Sequence, residues 1–139
     1  MSVARLTAVT AAMTVSCALA AAGNASAAAQ YYGTVALSRL KNAAVVSTDM
    51  PGKVSADAAA IRDCANYDCE IVLRFSDGCA AVARGADGTW GWAAAGSRAE
   101  AEGAAVASLG ESNPPFPDLG SASPRPAQVI TSACTKNAG

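Results

Sequence analysis

The 139-residue chain contains no histidine. That absence removes every Ser-His-Asp or Cys-His relay, and with it the commonest side-chain ligand of transition metals. Aromatic residues make up 5% of the chain and charged residues 15%, so any core must be built from small aliphatic side chains. Ten basic and eleven acidic residues give a formal charge of −1. No basic patch emerges, and neither nucleic acid nor an anionic membrane surface is implied as a partner. Catalysis would fall to carboxylates, Lys, Tyr or Ser, and no cofactor is implied.

The first 27 residues have the three regions of a secretory signal peptide: Arg5, an apolar stretch from Leu6 to Ala22, then Gly23 and Asn24 before a small-x-small site at Ala25-Ser26-Ala27. Cleavage is expected after Ala27, with Ala29 as the second choice. The apolar run is short for a membrane span and is mostly Ala with Thr and Ser, so no integral span is expected. Lipidation at Cys17 is the alternative, but TVSC lacks the usual Leu three residues earlier. Residues 28–139 then form one secreted domain, extracellular or in the cell envelope, with a formal charge of about −2 once Arg5 is gone.

Two stretches roughly 45 residues apart follow one order of elements: strand, turn, strand, helix, strand. The first half reads Thr34–Ser38, Ala43–Thr48, a helix over Gly52–Cys64, and Cys69–Phe75. The second reads Cys79–Arg84, Thr89–Ala94, a helix over Gly96–Leu109, and Ala127–Cys134. Gly85, Asp87 and Gly88 supply hairpin turn chemistry, and Ser97 with Glu100 matches a capping box. The halves differ at the join before the last strand, which is ANYD in one and residues 110–126, with five of the six prolines, in the other. Such a segment cannot donate a regular set of backbone hydrogen bonds and reads as a surface loop.

Four cysteines remain after the leader, Cys64, Cys69, Cys79 and Cys134, which permits three disulfide connectivities in an exported chain. The repeat discriminates among them. At the positions equivalent to Cys64 and Cys69 stand Leu109 and Ala127, both replaced together, as a local helix-to-strand clip would require. Cys64–Cys69 is therefore favoured, leaving Cys79–Cys134. Zinc is the alternative, but C-x4-C with two isolated cysteines is poor metal spacing.

The strings YYGTVALS and CEIVLRFSDGCAAVARGADGTWGWAAAGSRAEAEGAA resemble a secreted bacterial family, domain of unknown function 4189, from Tyr32 to Cys134. The most specific part is GCAAVARG-x-DG-x-WGW-x(4)-SRAEAE. The chain departs from the family at Leu109 and Ala127, where members often carry a further cysteine pair, in its proline-rich insertion, and in a first hairpin, AAVVS, without the usual aromatic. The resemblance implies export, the repeat and the disulfides, and no activity.

Trp90 and Trp92, spaced i, i+2, share one strand face. Exposed, they would form a stacking platform; buried, they would fill an alanine-rich core. Phe116 in the proline-rich loop is the third candidate binding residue. Glu100 and Glu102 lie on different helix faces and cannot converge on one atom; Asp77 and Asp87 belong to turns; Ser55 and Ser97 read as helix caps with no base beside them. The expected fold is α+β: two ββαβ halves forming an antiparallel or mixed sheet of about six strands, both helices on one face. The runner-up is two separate ββα layers whose third strands are edges. The leading functional expectation is a non-enzymatic binding or interaction protein with an unknown protein or envelope ligand as partner. A carboxylate-using extracellular hydrolase and an inhibitor or immunity-type protein are the alternatives.

Overall fold

The computed structural model describes residues 29–110 and 127–138. The elements are β1 (Tyr32–Ser38), β2 (Ala43–Met50), α1 (Lys53–Cys64), β3 (Glu70–Ser76), β4 (Cys79–Arg84), β5 (Trp90–Ala95), α2 (Arg98–Ala107) and β6 (Gln128–Cys134). They make two three-stranded antiparallel sheets, ordered β2-β1-β3 and β5-β4-β6. Each sheet and its helix come from one continuous stretch of chain.

The expected single sheet of about six strands, with both helices on one face, is therefore wrong, and the runner-up of two ββα layers with β3 and β6 as edges is what forms. The cause lies in the central strands. Val35, Ala36 and Leu37 in β1, and Cys79 through Ala83 in β4, are all buried, so each central strand needs cover on both faces. One helix covers only one. The other apolar faces cover each other: Val35, Ala80 and Val82 form a cluster with Val46, Leu73, Phe75, Trp90 and Trp92. Outside this cluster α1 closes over Ala36 through Ala60 and Cys64, and α2 closes over Ala81 and Ala83 through Ala101, Ala105 and Leu109. The order of layers is helix, sheet, sheet, helix.

Alanine on the buried helix stripes lets backbones approach closely. At Gly91 in β5 a methyl carbon would sit 2.6 Å from the Ala105 carbonyl oxygen, so only hydrogen fits between β5 and α2. The β4–β5 turn closes with Gly88 at φ 86° and its N–H donating to the Gly85 oxygen at 3.0 Å, a backbone shape that favours glycine. Helix α1 starts at Gly52, whose N–H donates to Ser55 Oγ at 3.2 Å. Helix α2 starts at Ser97, whose Oγ accepts the Glu100 N–H at 3.3 Å; this is the half of the expected capping box that the structure shows.

Two disulfides join Cys64 to Cys69 and Cys79 to Cys134. The second bridges registered partners of β4 and β6. Just beyond it, the C-terminal residues tie the sheets together. Thr135 N–H donates to the Gly78 oxygen at 2.9 Å, Lys136 N–H to Asp49 Oδ1 at 2.7 Å, and Asn137 Nδ2 to Asp77 Oδ1 at 2.7 Å.

Candidate functional site

Trp90 and Trp92 face the first sheet, opposite Arg84 and Val82 of β4. Both are half-buried in the cluster between the sheets, and the Arg84 guanidinium carbon lies 5.3 Å from the Trp90 ring centre. The pair is thus part of the packing, with only a rim presented to solvent. Phe116 lies outside the described residues, as do the leader with Cys17 and the prolines of 111–126.

Three of the four carboxylates singled out from the sequence are engaged locally. Glu102 accepts the Ser132 hydroxyl at 2.5 Å and so ties α2 to β6. Asp87 accepts the Thr89 N–H at 3.0 Å within its turn. Asp77 accepts the N–H of Tyr31 at 3.0 Å as well as the Asn137 amide, and these bonds hold its carboxyl below the usual range.

A shallow cleft of about 230 Å³ opens beside α1, lined by Tyr32, Gly33, Thr34, Lys53, Arg74, Phe75 and Ser76. At its edge Arg74 grips Asp57 with Nε at 3.0 Å and Nη2 at 2.9 Å, and Thr34 Oγ1 donates to the same carboxylate at 2.8 Å. The Arg74 hydrogen bond is the largest cause that pushes the Asp57 carboxyl down, with Thr34 adding to it. A general acid needs the opposite shift.

The structure brings together a different set of residues at the far end of α1. The Cys64–Cys69 bridge closes a loop over residues 65–68. Ala65 ends the helix at φ 52°, a left-handed conformation, with its N–H on the Ile61 oxygen. Asp68 then fastens the loop to the β1–β2 turn: it accepts the Ser38 hydroxyl at 2.5 Å and the Leu40 N–H at 2.8 Å, and it also takes the Asn66 amide. The Ser38 bond is the largest reason why the Asp68 carboxyl lies below its ordinary value. Asn66 Nδ2 also donates to Ser38 Oγ at 3.1 Å, and Lys41 Nζ donates to the Ala65 oxygen at 2.8 Å.

What this fastening displays is apolar. Tyr67 is 90% exposed at the loop apex, Leu40 is 62% exposed on the adjoining turn, and Val54 and Ile61 on α1 are 83% and 38% exposed. A signal for Tyr67 stood in the sequence: a disulfide-closed run of four residues has no interior, so an aromatic within it must face outwards.

The family model for the domain of unknown function DUF4189 matches residues 32–134. The chain belongs to that family. No curated protein and no solved structure matches it. The match to DUF4189 spans all eight elements, both disulfides and the Tyr67 loop. Among the described residues, no helix is long and apolar enough to cross a membrane.

Proposed function

We propose that this DUF4189 protein is an exported, non-enzymatic interaction protein, and that its contact surface is the α1 side, with Tyr67 and Leu40 as anchors. The observation that carries the reading is the Tyr67 loop. A disulfide and five side-chain hydrogen bonds hold six residues still, and Tyr67 among them is 90% exposed. Tyrosines are enriched among residues that dominate binding energy, and an aromatic fixed before binding loses little freedom on docking. In this proposal Trp90 and Trp92 serve packing.

The hydrolase alternative draws no support from the carboxylates: Asp57, Asp68 and Asp77 are all shifted downwards, which suits structural acceptors. The inhibitor alternative depended on Phe116, outside the described residues. Export is part of the proposal; the leader read over residues 1–27 and the two disulfides support it. The matching strand orders of the two sheets likewise support a reading of the halves as copies of one ββαβ unit.

The test is affinity capture from culture supernatant and cell envelope with purified wild type and with Tyr67→Ala and Leu40→Asp variants. A partner retained by wild type and lost from both variants is expected. Finding no partner, or one held equally by all three proteins, would sink the reading. Mass spectrometry of the protein recovered from the medium should give an N-terminus at Ala28.

A further inference from the structure

The cleft beside α1 lies at the opposite end of that helix from the Tyr67 loop: Lys53, in its lining, is the first residue of α1, and Cys64, where the loop begins, is the last. The lining is rich in hydrogen-bond donors and poor in acceptors. Lys53 has no hydrogen bond or ion pair with any described residue. Arg74 commits Nε and Nη2 to Asp57, which leaves the two N–H bonds of Nη1 without an acceptor among the described residues. Ser76 Oγ accepts the Gln30 amide at 3.5 Å, and its own hydroxyl hydrogen has no acceptor there. The carboxylate at the edge is already filled, since Asp57 Oδ1 accepts from Thr34 and Arg74 and Oδ2 from Arg74. Asp49 and Asp77, the other acidic residues at this end of the sheet, lie outside the lining and accept the N–H groups of Lys136 and Tyr31. A ligand must therefore bring the acceptors. Lys53 is also unexplained by the helix it opens. A cation in the first turn opposes the macrodipole, and α1 has no acidic residue there to offset it, whereas α2 has Glu100.

We propose that this cleft binds a carboxylate, held between Lys53 Nζ and Arg74 Nη1, on a body no larger than a single sugar or amino-acid residue. Charge and size set the class. Within the lining, Lys53 and Arg74 against Asp57 leave one positive charge, which one carboxylate balances; a phosphate monoester brings about −1.5 to −2. The volume of about 230 Å³ is below the roughly 300–1,000 Å³ of pockets that take drug-sized ligands. Tyr32 and Phe75 supply the aromatic part of the lining for the uncharged body. The Tyr32 hydroxyl donates to Gln30 Oε1 at 2.7 Å and keeps its lone pairs for a ligand hydroxyl or amide. The grip of Asp57 fixes the Arg74 guanidinium in advance, so Nη1 loses little freedom on binding. The inference goes beyond the proposed contact surface of Tyr67 and Leu40 and does not rest on it.

The test is NMR titration of isotope-labelled protein carrying both disulfides. Glucuronate and N-acetylalanine are the carboxylate arms, glucose and N-acetylalanine methylamide their uncharged counterparts, and inorganic phosphate a further arm. Saturable shifts at the amides of Lys53, Arg74 and Ser76 are expected with at least one carboxylate and with neither uncharged compound; which carboxylate binds tells an acidic sugar from a peptide terminus. Lys53→Gln should weaken binding at least about threefold and Lys53→Arg should retain it. Arg62→Gln, the same loss of charge on α1 away from the cleft, should bind as wild type does. Lys53 is exposed, so its variants do not threaten the fold. No saturable shift with either carboxylate at about 50 mM, past the millimolar range of a weak site, overturns the proposal. So does equal weakening by Lys53→Gln and Arg62→Gln, which would mean general attraction to a cationic helix, and so does phosphate that binds more tightly than both carboxylates. Capture through Tyr67 is read with other variants, so failure here leaves that result standing.

Discussion

Replacing Gly91 by alanine tests the close-packed layer between β5 and α2. The added methyl would lie 2.6 Å from the Ala105 carbonyl oxygen and 3.0 Å from Leu109 Cδ2, where ordinary carbon contacts begin near about 3.5 Å. Neither neighbour yields cheaply. The carbonyl belongs to helix backbone, and Leu109 is buried in a cluster with Ala81, Ala83, Ala101 and Ala105. Helix α2 must therefore retreat by roughly 1 Å along its contact with β5, at an overpacking cost of about 1–3 kcal/mol. At about 4–8 °C per kcal/mol for a domain of this size, Tm falls by about 4–24 °C. Gly103→Ala is the control, because the same methyl on the outer face of α2 meets nothing within 4 Å among the described residues and should stabilise by about 0.5–1 kcal/mol. Urea and thermal unfolding followed by circular dichroism measure both. A Gly91→Ala variant as stable as wild type would refute the packing argument, and so would two variants that shift in the same direction.

The two disulfides should differ in worth. Cys79–Cys134 closes a loop with a sequence separation of 55 and Cys64–Cys69 one of 5, so the chain-entropy estimate gives losses of about 4 and about 2 kcal/mol for the paired serine variants; denaturant titration that ranks them the other way would count against it. Ala65→Gly should stabilise by roughly 1 kcal/mol, since Ala65 stands at φ 52° where a Cβ is penalised; unchanged unfolding midpoints would mean that the clip has relaxed the penalty. The downward shifts at Asp57, Asp68 and Asp77 mean that the unfolded chain takes up protons first as pH falls. Their stabilisation is present above the ordinary aspartate value and lost below it, so Tm should be flat from pH 5 to 8 and drop below about pH 4, and a profile flat down to pH 2 would contradict these carboxylates' roles. Leu109→Cys with Ala127→Cys should give a third disulfide detectable by non-reducing peptide mapping, because Ala127 packs against the buried cluster that contains Leu109; two free thiols after oxidation would break the equivalence with Cys64 and Cys69.

Much of the fold was legible because the chain states its elements twice. The absence of cysteine at both Leu109 and Ala127 pointed to the pairing that the structure has, and Ala127 packs against the buried cluster that contains Leu109. The sheet count was misjudged because an inventory of strands does not specify which edges pair. The information was nevertheless local. In Cys79–Ala83, and in Val35–Leu37, no polar residue interrupts the run, and strands of that kind are covered on both faces. The tryptophans were ambiguous for a related reason: spacing places Trp90 and Trp92 on one face, and only the opposing sheet determines that the face is half-buried.

Helix α1 misleads a reader of sequence in a way that bears on function. Bulk normally marks the buried stripe of a helix, yet here the buried positions hold Ala56, Ala59, Ala60 and Cys64, while Val54 and Ile61 face outwards. The inward choice has a structural cause: an alanine stripe brings α1 close to β1. Among the described residues the outward choice has none. Val54 is 83% and Ile61 38% exposed among the described residues; lysine or glutamate at these positions would raise helix propensity above that of two β-branched residues and would remove apolar surface from water. A helix that forgoes those gains, beside a loop that holds Tyr67 in the solvent, presents apolar surface that the described residues leave open. Val54→Lys with Ile61→Lys should therefore leave thermal stability equal to or above that of wild type, whereas a loss of several degrees in Tm would show that these two side chains support the fold after all.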